Sequence, residues 1–239
     1  MKIEYALEAE GLKKSFGYHH VLNGVSFKAQ RGEHLVILGG NGCGKTTLLN
    51  ILATICHPYQ GKIAIEGLDI RQQAVNIRRK LGVVAHATML YNDLTIIENL
   101  RFYGRMYEVE RLEERIKQMI LRFELGKWQD YRVRNLSRGI QQRTAIVRAL
   151  IHEPSVLMLD EPESGLDPTA RIILGNILGE LKQGGRTVIA TSHNLDFALS
   201  TYSRLVILAR GQFVYESTDR ELSLLALKEV FSRYSGNKS

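Results

Sequence analysis

The chain has little of what marks secreted, membrane-spanning or low-complexity proteins. Two cysteines, Cys43 and Cys56, stand in 239 residues, too few for a disulfide framework and suited to a reducing compartment. No stretch approaches the roughly 20 consecutive apolar residues that cross a bilayer. The longest apolar runs are short, such as Leu35-Val36-Ile37-Leu38, and read as buried strands. Met1-Lys2-Ile3-Glu4-Tyr5 alternates in polarity and lacks the apolar run of a secretory signal. With only four prolines and no repeat or Gly/Pro-rich tract, nothing reads as a linker. The expected organisation is therefore one domain over 1–239.

The balance is that of an ordinary globular protein, with 44% hydrophobic and 24% charged residues. The net charge of +7 reads first as a solvated surface. Contact with anionic headgroups or an acidic partner is the sharper reading, with Arg78-Arg79-Lys80 and Arg132/Arg134 as the local concentrations. Neither cluster is interleaved with stacking aromatics, so no nucleic-acid partner is expected.

Polarity patterns divide the chain. Residues 3–9 and 25–30 alternate and read as antiparallel strands. Continuous apolar runs at Leu35–Leu38, Val156–Asp160, Thr187–Thr191 and Leu205–Ala209 read as parallel strands covered on both faces. The stretch from about 87 to 155 reads as helical: Thr95 and Glu98 form a capping box, and Leu112, Ile116, Met119, Ile120 and Phe123 share one helical face. A last helix over about 220–234 would place Leu222, Leu225, Ala226 and Val230 on one side.

Gly39-Gly40-Asn41-Gly42-Cys43-Gly44-Lys45-Thr46 follows an apolar strand and opens a helix, the context of a phosphate-binding loop. Glycines let backbone N–H groups converge on phosphate oxygens, and the helix N-terminus favours the anion. Lys45 adds a point charge, and the Thr46 hydroxyl is a hard oxygen ligand for Mg²⁺. Cys43 at this helix start is expected to have a lowered pKa. At the end of the run Val156–Leu159, Asp160 can orient Mg²⁺ and Glu161 can accept a proton from attacking water. His193, in Thr191-Ser192-His193, offers an imidazole near the γ-phosphate. No N-K-x-D segment is present to read guanine.

Leu136-Ser137-Arg138-Gly139-Ile140-Gln141-Gln142-Arg143 resembles the signature L-S-G-G-Q of ABC transporter ATPases, with Arg138 and Ile140 as departures or insertions. Together with Ser164-Gly165-Leu166-Asp167, which matches the family's D-loop, and with His193 in the switch position, the chain resembles that family over nearly its whole length. The resemblance implies a P-loop NTPase α/β fold: a RecA-like core with an antiparallel β edge over 1–85 and 156–216, a smaller helical subdomain over 86–155, and a C-terminal helix over 217–239. It implies ATP and Mg²⁺ as cofactors, with Glu161, His193 and Lys45 catalytic, and Thr46, Asp160 and His86 at the metal. Phe16, Val21, Gly39–Thr47 including Thr47 itself, and Ser137, Arg138, Gly139, Ile140 and Gln141 would bind nucleotide. Two copies, most simply identical, would close head-to-tail around two ATPs and drive integral membrane subunits from the cytoplasmic face.

His86 stands where the family usually has Gln; it would act through water, or the metal contact would be weaker. Ala85-His86, Leu94–Tyr103 and Ser137–Arg143 resemble the haem-exporter ATPase of cytochrome c biogenesis, a narrower resemblance that exporters of drugs, lipids or polysaccharides share in part. A soluble ABC ATPase acting in assembly is the competing class. The long coiled-coil insertions and fused second domain common in such members are absent. A non-hydrolysing binding module would not need Lys45, Asp160, Glu161 and His193 together.

Overall fold

Alternation in the first thirty residues becomes a long hairpin. In the computed structural model, which describes residues 4–219 and 221–235, β1 (Tyr5–Phe16) pairs antiparallel with β2 (His19–Gln30). β2 outruns the expected 25–30 and β1 runs past the end of the expected 3–9, whose residue 3 lies outside the described residues. The pairing passes through register shifts, one spanning Ala9 to Leu12, and Gly11 at φ 58° supplies a backbone conformation other residues resist. Polarity alternation breaks at such irregularities although the ladder continues.

β3 (His34–Leu38) runs into the glycine loop, and α1 (Lys45–Leu52) follows it. β4 (Gln60–Ile65) and β5 (Leu68–Asp69) complete a four-stranded sheet of order β2-β1-β4-β5. α2 (Ala74–Lys80) leads to β6 (Leu81–Val84). Three helices come next: α3 (Ile96–Met106), α4 (Leu112–Arg122) and α5 (Arg138–Leu150). β7 (Val156–Asp160), α6 (Pro168–Gln183), β8 (Thr187–Ser192), α7 (Leu195–Thr201), β9 (Arg204–Ala209), β10 (Gln212–Ser217) and α8 (Leu224–Ser235) finish the chain. The second sheet has the order β10-β9-β3-β8-β7-β6. Its strands pair in parallel except for the antiparallel edge strand β10.

Continuous apolar runs appear in this second sheet because both of its faces are covered. Leu35, Ile37, Met158 and Ile189 face a core shared with α1 and the antiparallel sheet. Their neighbours Val36, Leu38, Leu157, Leu159, Val188 and Ala190 face a core shared with the helices. One residue's shift along β3 would exchange these two sets.

The capping box opens α3: the Glu98 amide donates to Thr95 Oγ1 at 3.2 Å, and the Thr95 amide donates to Glu98 Oε2 at 2.8 Å. Ile116, Met119, Ile120 and Phe123 are buried together, with Leu112 packed against them. The last helix starts later than expected and turns a different face inward. Leu227 is its fully buried residue, Leu222 and Val230 pack at the side, and Leu225 is 70% exposed. Of the expected span, residue 220 lies outside the described residues.

Candidate functional site

The loop between β3 and α1 needs glycine where it is glycine. Gly44 caps α1 at φ 106°, and a Cβ there would lie 3.0 Å from the Val21 carbonyl oxygen. At Gly39 a Cβ would meet Cys43 Sγ, and it would sit 2.6 Å from the Leu208 oxygen. No side chain caps α1, which leaves the amides of its first turn without a side-chain acceptor. Lys45 folds back over the loop and is only 5% exposed. Its Nζ donates to the oxygens of Gly39 at 2.9 Å and Gly40 at 3.2 Å, and pairs with Glu161 Oε1 at 3.3 Å.

Parallel pairing of β7 with β8 sets Asp160 opposite Thr191. Thr191 Oγ1 donates to Asp160 Oδ1 at 2.6 Å, and Thr46 Oγ1 reaches the same oxygen at 3.3 Å. Glu161 leaves the strand at φ 47°, in the left-handed region, and its amide donates to Thr191 O at 3.2 Å and Thr191 Oγ1 at 3.1 Å. This turn aims its carboxylate between Lys45 and His193, whose Nδ1 lies 3.0 Å from Glu161 Oε2. Burial by itself would raise the Glu161 pKa; the His193 hydrogen bond and the Lys45 charge outweigh it and hold the carboxyl below its ordinary range.

Lys45, Thr46, Asp160 and Glu161 border a cleft of about 510 Å³ that also takes in Phe16, Val21, Asn41, Gly42, Gly44, Thr47 and His86, while His193 reaches it only through its contact with Glu161. Phe16 is 57% exposed, with Lys14 Nζ over its ring at 5.2 Å from the centroid. Gly39 and Gly40 contribute through the carbonyls that hold Lys45. Cys43 corrects the sequence expectation: burial raises its thiol pKa, and the opposing charge of Lys45 does not compensate. Desolvation of the thiolate wins over the helix N-terminus.

Ser137, Arg138, Gly139, Ile140 and Gln141 do not line that cleft. Ser137 caps α5 by accepting from the Ile140 amide at 3.5 Å. The helix runs unbroken from Arg138, so both departures, Arg138 and Ile140, lie in its first turn. Ile140 is buried in the helical core, and the Gln141 side chain donates to Val133 O at 2.9 Å and Leu136 O at 3.1 Å. As side chains, therefore, Ile140 and Gln141 hold their own segment, against the expectation that they reach a nucleotide. Gly139 is buried close to the Asp167 carboxylate, whereas Arg138 is exposed and lies along Gly165. A second cleft of about 330 Å³ is bordered by Arg138, Gln141, Gln142 and Ser164, and shares His86, Asp160 and Glu161 with the first. His86 follows β6, whose Val84 pairs with Leu159 of β7, and that register brings the imidazole beside the carboxylates. Thr191 and Gln142 also border the carboxylate segment, and no sequence motif marks either contact. Gln142 Nε2 donates to Pro162 O at 3.3 Å, and only the strand pairing and the α5 packing reveal either contact.

A family model described as ABC transporter matches residues 22–164. The chain belongs to the ABC transporter family, as an ATP-binding subunit. It is 34% identical over 194 residues to the ABC transporter ATP-binding protein NatA of Bacillus subtilis (strain 168), covering 80% of this chain and 79% of that one. It is 34% identical over 218 residues to the Nod factor export ATP-binding protein I of Cupriavidus metallidurans, covering 90% and 72%. The dimeric structure of a post-hydrolysis state of the ATP-binding cassette MJ0796, bound to ADP and Pi, superposes with a TM-score of 0.82 at 27% identity, covering 88% of this chain and 97% of that one. The fold is that of the P-loop ABC ATPases, and the chain is an ABC-type ATPase that binds ATP.

Proposed function

We propose that this subunit hydrolyses ATP at the cleft between the glycine loop and the end of β7, and so powers export through membrane subunits. One observation carries the reading: Glu161 is held between Lys45 and His193, beside the Thr46–Asp160 pair. The uncapped helix and the glycine backbone suit phosphate oxygens. Lys45 holds the phosphates as a point charge, and Phe16 offers a stacking face for adenine. Thr46 and Asp160 present hard oxygens of the kind Mg²⁺ selects. Bound there, the metal neutralises charge on the phosphates. His86 presents nitrogen, a poor Mg²⁺ ligand, and fits the metal site only through an intervening water. Glu161, held between Lys45 and His193, takes the proton of the attacking water, and His193 orients it.

Ser137 and Gly139, remote from the chain's own phosphate loop, suit a second copy. The dimeric ADP- and Pi-bound relative supports a head-to-tail homodimer in which each α5 start faces the other chain's nucleotide. Among the described residues no helix is long and apolar enough to cross a membrane. The subunit is accordingly proposed to act peripherally on the cytoplasmic face, with integral membrane partners. The relative named for Nod factor export supports export as the direction. Haem export for cytochrome c maturation is the narrower proposal and rests on Ala85-His86 and the segments Leu94–Tyr103 and Ser137–Arg143. Drug, lipid and polysaccharide cargoes are its rivals, and no residue of this site would touch any of them.

Turnover, ATP affinity and dimerisation of Glu161→Gln and Lys45→Ala test the mechanism. Glu161→Gln is expected to bind ATP, dimerise and lose turnover, whereas Lys45→Ala loses binding itself. Full turnover by Glu161→Gln would remove Glu161 as the base.

A further inference from the structure

Two residues beyond Glu161 stands another acid, Glu163, that the reaction described above does not use. It is 3% exposed, and its Oε2 has no hydrogen-bond partner among the described residues. Its Oε1 meets Ser192 Oγ, in the residue before His193. The Ser192 hydroxyl also accepts from the Asn194 amide at 2.8 Å and lies 3.2 Å from the Asn194 carbonyl oxygen. Asn194 in turn caps α7, accepting from the Phe197 amide at 3.0 Å.

Ser192 has one proton to give and two acceptors within reach. If Glu163 were ionised, the hydroxyl proton would go to Oε1, the Asn194 oxygen would lose that donor, and a buried carboxylate would keep one oxygen bare. If Glu163 is neutral, its own O–H donates to Ser192 Oγ, Ser192 donates to the Asn194 oxygen, and the unpartnered Oε2 is an uncharged carbonyl. The second assignment fills every donor and leaves no unpaired charge in the interior.

We propose that Glu163 is carried as a neutral carboxylic acid and is a positioning residue, tying the segment after Glu161 to the loop that presents His193 so that the imidazole stays on Glu161. The chain of contacts is short: Glu163 to Ser192, Ser192 to Asn194, and His193 between them on Glu161 Oε2 at 3.0 Å. Burial pushes the Glu163 pKa up, and the negative charge of Glu161 pushes the same way; the Ser192 hydroxyl, the residue's own amide and His193 pull against them. Glu161 on its own segment and His193 on the loop before α7 are the charged groups acting on it. Gln142, reaching Pro162 from α5, carries no charge. Loss of the proton would set two carboxylates around one imidazole and turn the Ser192 hydroxyl from the Asn194 oxygen to Glu163.

The inference rests on Glu161 being the base, which the inactivity of Glu161→Gln checks separately. Its own test is the ATPase pH profile of the full chain as wild type, Glu163→Ala, Ser192→Ala and Glu163→Gln, with ATP-induced thermal stabilisation measured on each to show a folded, nucleotide-binding protein. The two alanine variants are expected to lose roughly ten- to a hundredfold in kcat, the scale of a misplaced catalytic group, with little change in KM. Glu163→Gln keeps an N–H donor for Ser192 and is expected to restore most of the turnover lost in Glu163→Ala. Wild type is expected to lose kcat as pH rises and Glu163 ionises, and Glu163→Gln is expected to show no such decline. A folded Glu163→Gln as impaired as Glu163→Ala, or one that keeps the wild-type alkaline decline, overturns the proposal.

Discussion

Thr191→Val isolates the hydroxyl on which both acids of the site depend. Thr191 is fully buried at the end of β8. Its Oγ1 donates to Asp160 Oδ1 at 2.6 Å and accepts from the Glu161 amide at 3.1 Å. Valine keeps the branched shape and the strand preference, so the backbone is little disturbed. Glu161 loses only one of two acceptors, because Thr191 O still lies 3.2 Å from its amide. Asp160 loses more: what remains is Thr46 Oγ1 at 3.3 Å, a long contact for an O–H donor. A hydrogen bond to a charged group contributes about 1.5–3 kcal/mol, and an acceptor left buried without it forfeits that order of stability. The expected loss is therefore about 2 kcal/mol, a fall in Tm of roughly 4–8 °C for a chain of this size. Calorimetric melting of wild type, Thr191→Val and Thr191→Ser measures it, with Thr191→Ser keeping the bond. The Mg²⁺ concentration for half-maximal turnover should rise in the valine variant as Asp160 loses its anchor. A valine variant within about 0.5 kcal/mol of wild type, the range of changes at inconsequential sites, would show that Asp160 is not held by Thr191.

Further outcomes follow from groups whose protonation burial has shifted. Cys43 is half-buried and its thiol pKa is raised, first by burial; alkylation at neutral pH should be slower than that of a small free thiol, should accelerate as pH rises, and should be slowed by bound nucleotide. Alkylation faster than the free thiol at neutral pH would contradict the burial argument. His34, buried at the start of β3 with Nε2 unpartnered, has its pKa lowered to about 4 by burial and by the Lys182 charge. Its unfolded form takes up a proton near the ordinary 6.5 while the folded form does not, so its contribution is intact above that pH and is lost as pH falls toward about 4. The full loss is about 3 kcal/mol; urea unfolding of wild type and His34→Gln at pH 7 and about pH 4.5 should show the variant losing less stability on acidification, and equal losses would sink the assignment.

The parts of this molecule that local patterns encode were legible from residues alone. Val156–Asp160 is a strand over those same residues, because a run covered on both faces must be apolar throughout. The capping box at Thr95 and Glu98 is present because both partners lie within one helical turn. Legibility ends where distant segments decide. β1 and β2 extend past bulges that interrupt their alternation. In α8 the inward face is set by packing against α7 and β9, which selects Leu227 over Leu225. At Cys43 the sequence shows the helix start that would lower the thiol pKa but not the burial that raises it. At the site, each motif announces itself, but the bonds between motifs cross 31 residues from Asp160 to Thr191 and 29 from Glu163 to Ser192, and the β7–β8 register makes both.

The resting arrangement of charge also links binding to chemistry. Lys45 has two carbonyl oxygens and one carboxylate, Glu161, as its partners. Lys45 drawn toward phosphate oxygens can no longer lower the Glu161 pKa to the same degree. Glu161 then holds a proton more readily, the direction a base must move to accept one from water. His193, half exposed, remains as the second restraint on the carboxylate, and it is attached to the loop that Ser192 and Asn194 shape. A nucleotide-dependent change at Lys45 and a loop-dependent change at His193 thus act on the same two oxygens of Glu161. With Glu161 as the base proposed above, neither contact alone sets its basicity, and turnover is expected to depend on both the filled phosphate loop and the segment before α7.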